Sequence, residues 1–78
     1  MNKLNKGKGG GIVNKVELQA EMKRKGFTYE SMSKVLGISE NAFWRKMNGV
    51  NDFTLPEIQT ITEKLELDDT KIKVIFFN

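Results

Sequence analysis

The chain has 78 residues, of which 38% are hydrophobic and 29% charged, enough for one ordinary globular domain. It contains no Cys and no His, which excludes disulfide staples, thiolate chemistry and the commonest general base and zinc ligand. The net charge of +3 is unevenly spread: residues 1–25 hold seven Lys/Arg against two Glu, while residues 52–78 hold three Lys against six Asp/Glu. A polyanionic partner would therefore meet the N-terminal two thirds and avoid the acidic end.

Residues 1–12 read as a flexible basic tail, because Met1–Gly11 is lysine, asparagine and glycine with nothing to bury. The lysines of Met1–Lys15 flank no apolar core, so no secretory signal is expected there. Nor does any apolar run approach the roughly 20 residues of a membrane span. A cytosolic location is the resulting expectation, with no membrane partner.

Residues 13–78 read as a single all-α domain of five helices. Asn14 caps a first helix running to about Lys25, with Leu18 and Met22 on one face and Val16 and Ala20 taken as close by. Lys23, Arg24 and Lys25 complement the dipole of its last turn, and Gly26 ends it. Thr28 caps the next helix, Tyr29–Leu36, which Gly37 closes. Ser39 caps a third, Glu40–Asn48, which ends at Gly49. Two short helices joined by so tight a glycine-bearing turn have the signature of a helix-turn-helix.

Thr54 opens the fourth helix, with Pro56 in its first turn and Glu57 at capping-box spacing. Ile58, Ile61 and Leu65 make its inward stripe. Asp68 or Asp69 starts a fifth helix carrying Ile72, Ile75 and Phe76. Strand is the competing assignment for the β-branched and aromatic Lys71–Phe77, but a lone strand has no partner. The expected core is Leu18, Met22, Phe27, Met32, Leu36, Ile38, Phe43, Met47, Ile58, Ile61 and Leu65. Ser33 is expected where two helices cross closely. The apolar end, Ile72–Phe77, either completes the core or forms a dimer surface; core is preferred.

With Phe43 at the centre of the inward face of the third helix, Met47 lies about 40° away and also faces in. Asn41, Trp44, Arg45 and Asn48 then lie about 100–200° away and face out, with Glu40 near the border. Arg can pair with guanine, Asn with adenine, and an apolar ring can touch a thymine methyl. For Arg45 the plain alternative is a solvated surface charge, for Asn48 support of the turn beside an amide well placed for a phosphate, and for Trp44 packing on the protein itself or on a second copy. Thr28, Tyr29 and Ser39 offer hydroxyl or amide donors at helix starts, and Lys34 a cation, all suited to backbone phosphate. No nucleophile–base pair or Gly-rich phosphate loop is visible, so neither enzyme activity nor a cofactor or small-molecule substrate is expected.

The stretch KRKGFTYESMSKVLGISENAFWRKMNG, followed by DFTLPEIQTITEKLEL and IFF, resembles the lambda-repressor/Cro-like helix-turn-helix family, in the style of small regulators of phages and mobile elements of Gram-positive bacteria. The resemblance spans about Val16–Phe77. It rests on Gly26-Phe27-Thr28, Leu36-Gly37-Ile38-Ser39, Arg45-Lys46-Met47-Asn48-Gly49, Phe53-Thr54 and Glu57-Ile58. It implies an all-α domain of about five helices whose third helix, Glu40–Asn48, reads double-stranded DNA, acting as a transcriptional regulator. A repressor is the leading expectation, and a homodimer is expected because one such module offers little contact surface and half-sites about one turn apart raise affinity. Three positions depart from the usual pattern: Tyr29 where glutamine is frequent, Ser33 where alanine is usual, and Trp44 where a small polar residue is common. The competing reading is a protein-interaction module on the same fold, antitoxin-like or a phage adaptor, in which Trp44 contacts protein.

Overall fold

A computed structural model describes residues 13–77; the basic tail, residues 1–12, and Asn78 lie outside the described residues. Five helices follow one another: α1 (Lys15–Arg24), α2 (Tyr29–Leu36), α3 (Glu40–Met47), α4 (Leu55–Leu65) and α5 (Asp69–Phe76). Among the described residues there is no strand, and Lys71–Phe76 belongs to α5. No described helix is long and apolar enough to cross a membrane.

The boundaries follow from local chemistry. Asn14, Thr28, Ser39, Thr54 and Asp68 are extended, and each accepts a hydrogen bond from the backbone N–H three residues on. Each cap thus satisfies one of the donors that a helix start leaves free. Thr54 and Glu57 form the expected reciprocal box, and Thr28 forms a second one with Ser31. Pro56 sits in the first turn of α4, where its missing N–H removes no intrahelical bond.

Among the described residues, α1 to α4 close alike. After α1, α2 and α3, Gly26, Gly37 and Gly49 take φ of 81°, 74° and 77°. The next residues, Phe27, Ile38 and Val50, donate back to Met22, Ser33 and Arg45 carbonyls at 2.8, 3.0 and 2.9 Å. This is the Schellman closure, and the left-handed residue in it favours glycine. α4 closes in the same way through Leu67 N–H and Thr62 O at 3.0 Å, but its left-handed residue is Glu66, φ 54°.

The helices surround one apolar cluster. Leu18 and Met22 enter it from α1, Met32 from α2, Phe43 and Met47 from α3, and Ile58, Ile61 and Leu65 from α4. Ile75 and Phe76 complete it from α5 with Ile72 at its edge, while Val74 and Phe77 of the same apolar segment stay exposed. Each such side chain contributes about 1.5–3 kcal/mol on burial. Phe27, Leu36 and Ile38 are only partly buried, packed against the cluster's edge. Two further members come from loops: Phe53 before α4 and Leu67 after it. Phe53 links Phe43 and Phe76 through edge-on ring contacts at 5.8 and 5.7 Å.

Val16 and Ala20 are exposed and do not share the buried face of α1. At 100° per residue each lies about 160° from Leu18, so the helical period turns both outward. The third position on that buried face is Glu21. Its carboxylate reaches Arg24 at 3.5 Å and Lys71 at 3.4 Å. Lys71 also bonds Glu17 at 3.3 Å, fastening α5 to α1; Glu17, then Glu21, hold its ammonium above the usual lysine range. Asn14 N–H donates to Ile75 O at 2.7 Å, closing the same helix pair.

Candidate nucleic-acid interface

α2 and α3 pack against each other across a three-residue turn, Gly37–Ser39. Ser33 is buried on α2, and its hydroxyl turns back to donate to Glu30 O at 2.7 Å. A small side chain with its polar atom satisfied locally suits a close helix crossing. Tyr29 lays its ring edge-on against Phe43, 5.1 Å between centroids, and its hydroxyl accepts from Gln19 Nε2 at 2.8 Å. Its aromatic body therefore pins α2 to α3 and its polar end faces α1.

Phe43 and Met47 bury the inner side of α3. Asn41, Trp44, Arg45 and Asn48 are all exposed and span an arc of about 100° on the opposite side. Trp44 retains 49% of its surface, unusual for an indole on a short polar helix. Among the described residues, no partner side chain or backbone atom engages the side chains of Asn41 or Arg45. Glu40 is exposed in the first turn, where its charge complements the helix dipole.

Asn48 is the C-cap of α3 rather than its last helical residue. Its Nδ2 donates to Trp44 O at 2.9 Å, and its Oδ1 accepts from Lys15 Nζ at 2.7 Å. The structure thus gives Asn48 the turn-supporting role weighed for it and adds a link to the start of α1. Thr28 and Ser39 are exposed, with hydroxyls engaged as caps by Ser31 N–H and Ala42 N–H, both at 3.0 Å. Lys34 is exposed and forms a loose pair with Glu30 at 3.6 Å.

Lys46, whose periodic position is ambiguous, turns inward. It retains 13% side-chain exposure, bonds Glu57 Oε1 at 2.9 Å and Asp52 O at 3.0 Å, and lies 5.9 Å from the centre of the Phe53 ring. Glu57 also accepts the Thr54 N–H at 2.9 Å. Burial pushes the Glu57 carboxyl upward, but its bonds to Thr54 and Lys46 outweigh that and hold it below the usual carboxylate range. This junction fixes the loop between α3 and α4, and with it the attitude of α3's outer face.

Lys15, Lys46 and Phe53 are the participants that sequence reading left without a role. Among the described residues no group of three or more carboxylates is placed to hold a metal ion. No family model, curated protein or solved structure matches this chain.

Proposed function

We propose that the chain is a sequence-specific double-stranded DNA-binding regulator of the lambda-repressor/Cro-like type that reads the major groove with α3. One observation carries this reading: a capped helix of eight residues presents Asn41, Trp44 and Arg45 on one exposed face while its other face is anchored in the core. A helix fits the major groove by size, and these three side chains match adenine, a thymine methyl and guanine in hydrogen-bonding and apolar character. The cap at Thr28 and the cation of Lys34 on α2 serve the phosphate backbone. Tyr29, Ser39 and Glu40 act from the edges of this surface, Tyr29 chiefly by fixing α2 against α3.

One such module offers a small contact area, so the regulator acts as a homodimer on half-sites about one helical turn apart, as a repressor in the bacterial cytosol. The exposure of Trp44 also supports the interaction-module reading, in which the same face takes a protein. Titration of the full chain with duplex DNA at two salt concentrations separates them. A DNA reader loses affinity linearly in log salt in proportion to the phosphates it neutralises. Binding that is weak, or indifferent to salt, would move the assignment to a protein partner.

A further inference from the structure

Lys15 is the first residue of α1, and its ammonium is bonded to the cap of α3, thirty-three residues away in sequence. A cation in the first turn of a helix opposes the helix dipole, so this place is not chosen for helix stability. Asn48 holds it there with an amide fixed at both ends, its nitrogen to Trp44 O and its oxygen to Lys15. An ammonium has three donors. One of Lys15's engages Asn48, and among the described residues no carboxylate pairs with it. Two donors and a full positive charge therefore stand at the C-terminal end of α3's exposed face.

A helix about 10–12 Å across fits the width of the major groove, and in helix-turn-helix docking its N-terminal residues meet the base edges, leaving its C-terminal end toward a flanking strand. When the outer face of α3 meets base edges, groups at the helix end lie beside a sugar–phosphate strand. Resting on the DNA-reading role of α3, we infer that Lys15 contacts a backbone phosphate there and that Asn48 is its positioning residue, not a base reader. A lysine already held in place loses less side-chain freedom on binding. The contact adds affinity and register but no sequence information.

The test uses full-length protein and a duplex recovered by selection from a random pool, with affinity measured across a salt series. Lys15→Gln should lower the slope of log affinity against log salt by about 0.9, the value for one phosphate. It should leave base preference and thermal unfolding unchanged, and Lys15→Arg should restore the slope. Asn48→Ala keeps the charge, so it should retain the slope while weakening binding by roughly threefold to tenfold. Most of that loss should vanish in the Lys15→Gln background, where only the Asn48–Trp44 bond is left to lose. An unchanged slope in Lys15→Gln, with normal binding by the parent chain, would overturn the inference alone. Altered base preference at one site position in Asn48→Ala would overturn the positioning role. Absence of salt-dependent duplex binding by the parent chain would remove the DNA-reading role and this contact with it.

Discussion

Arg45 and Lys46 follow one another on α3, yet the helix turns them into different surroundings. Lys46 reaches into the α3–α4 junction, where Glu57, the Asp52 carbonyl and the Phe53 ring meet it. Arg45 stands exposed on the outer face, and among the described residues its guanidinium forms no hydrogen bond or ion pair. At the junction the polar groups answer one another and the geometry is stabilising. On the outer face Asn41, Trp44 and Arg45 are exposed. One region holds the helix in place, and the other is the surface on which the proposed reading of DNA depends.

The largest perturbation lies behind both regions. Phe43→Ala should destabilise the fold by about 3–5 kcal/mol, since it empties the centre of the cluster, leaves Tyr29 without its ring partner and leaves Phe53 only the Phe76 ring. For a domain of this size that is enough to abolish cooperative unfolding. Thermal denaturation followed by circular dichroism reads it, and a variant as stable as the parent would show that the core is not built around this ring.

The two neighbours should then separate stability from binding. Lys46→Ala removes a charged partner from Glu57 and should cost about 1.5–3 kcal/mol in urea denaturation. Arg45→Ala should stay within about 0.5 kcal/mol of the parent in the same measurement. It should lose about 1–3 kcal/mol of specific DNA affinity and relax the preference at one base position. Equal destabilisation by the two changes would dissolve the contrast between junction and face.

Acid should find the junction as well. The folded-state pKa of Glu57 is lowered from 4.5, so the unfolded chain takes up this proton first as pH falls. The stability that the carboxylate contributes is complete above about 4.5 and fades as pH falls through its folded value. Glu57→Gln should be less stable near neutrality and show a shallower loss than the parent as pH falls below about 4.5. Parallel acid curves would mean that the carboxylate is not held by Lys46 and Thr54. The smallest expected effect is at Glu66, the one left-handed closure without glycine. Glu66→Gly should gain up to about 1 kcal/mol from relieved backbone strain, reduced by loss of the exposed Lys25 pair. A rise in melting temperature would register it, and a fall would mean that the pair outweighs the strain.

What the sequence makes legible here is mostly local. Asn14, Thr28, Ser39 and Thr54 could be read as caps because the interaction spans three residues of one chain segment. The inward face of α3 followed from the helical period. Val16 and Ala20 show that the helical period, not apolar character, decides the face: it turns both away from Leu18 into solvent. Leu67 had a readable signal: Phe27, Ile38, Val50 and Leu67 all follow a left-handed closing residue, a position that commonly carries an apolar side chain. Glutamate in place of glycine at residue 66 hid the fourth instance. Phe53 lies in a loop, where no period exists to assign its direction. The bonds Lys15–Asn48, Lys46–Glu57 and Glu21–Lys71 join segments far apart or facing across helices, and no local pattern encodes which cation meets which acceptor.

The central claim, that the outer face of α3 reads bases, is met most directly by selecting from a random duplex pool with the parent chain and with Arg45→Ala in parallel. The account predicts that the parent recovers an inverted repeat with half-sites about one helical turn apart, and that Arg45→Ala recovers the same repeat with one position per half-site relaxed. No enrichment by the parent, or identical motifs from both proteins, would contradict it.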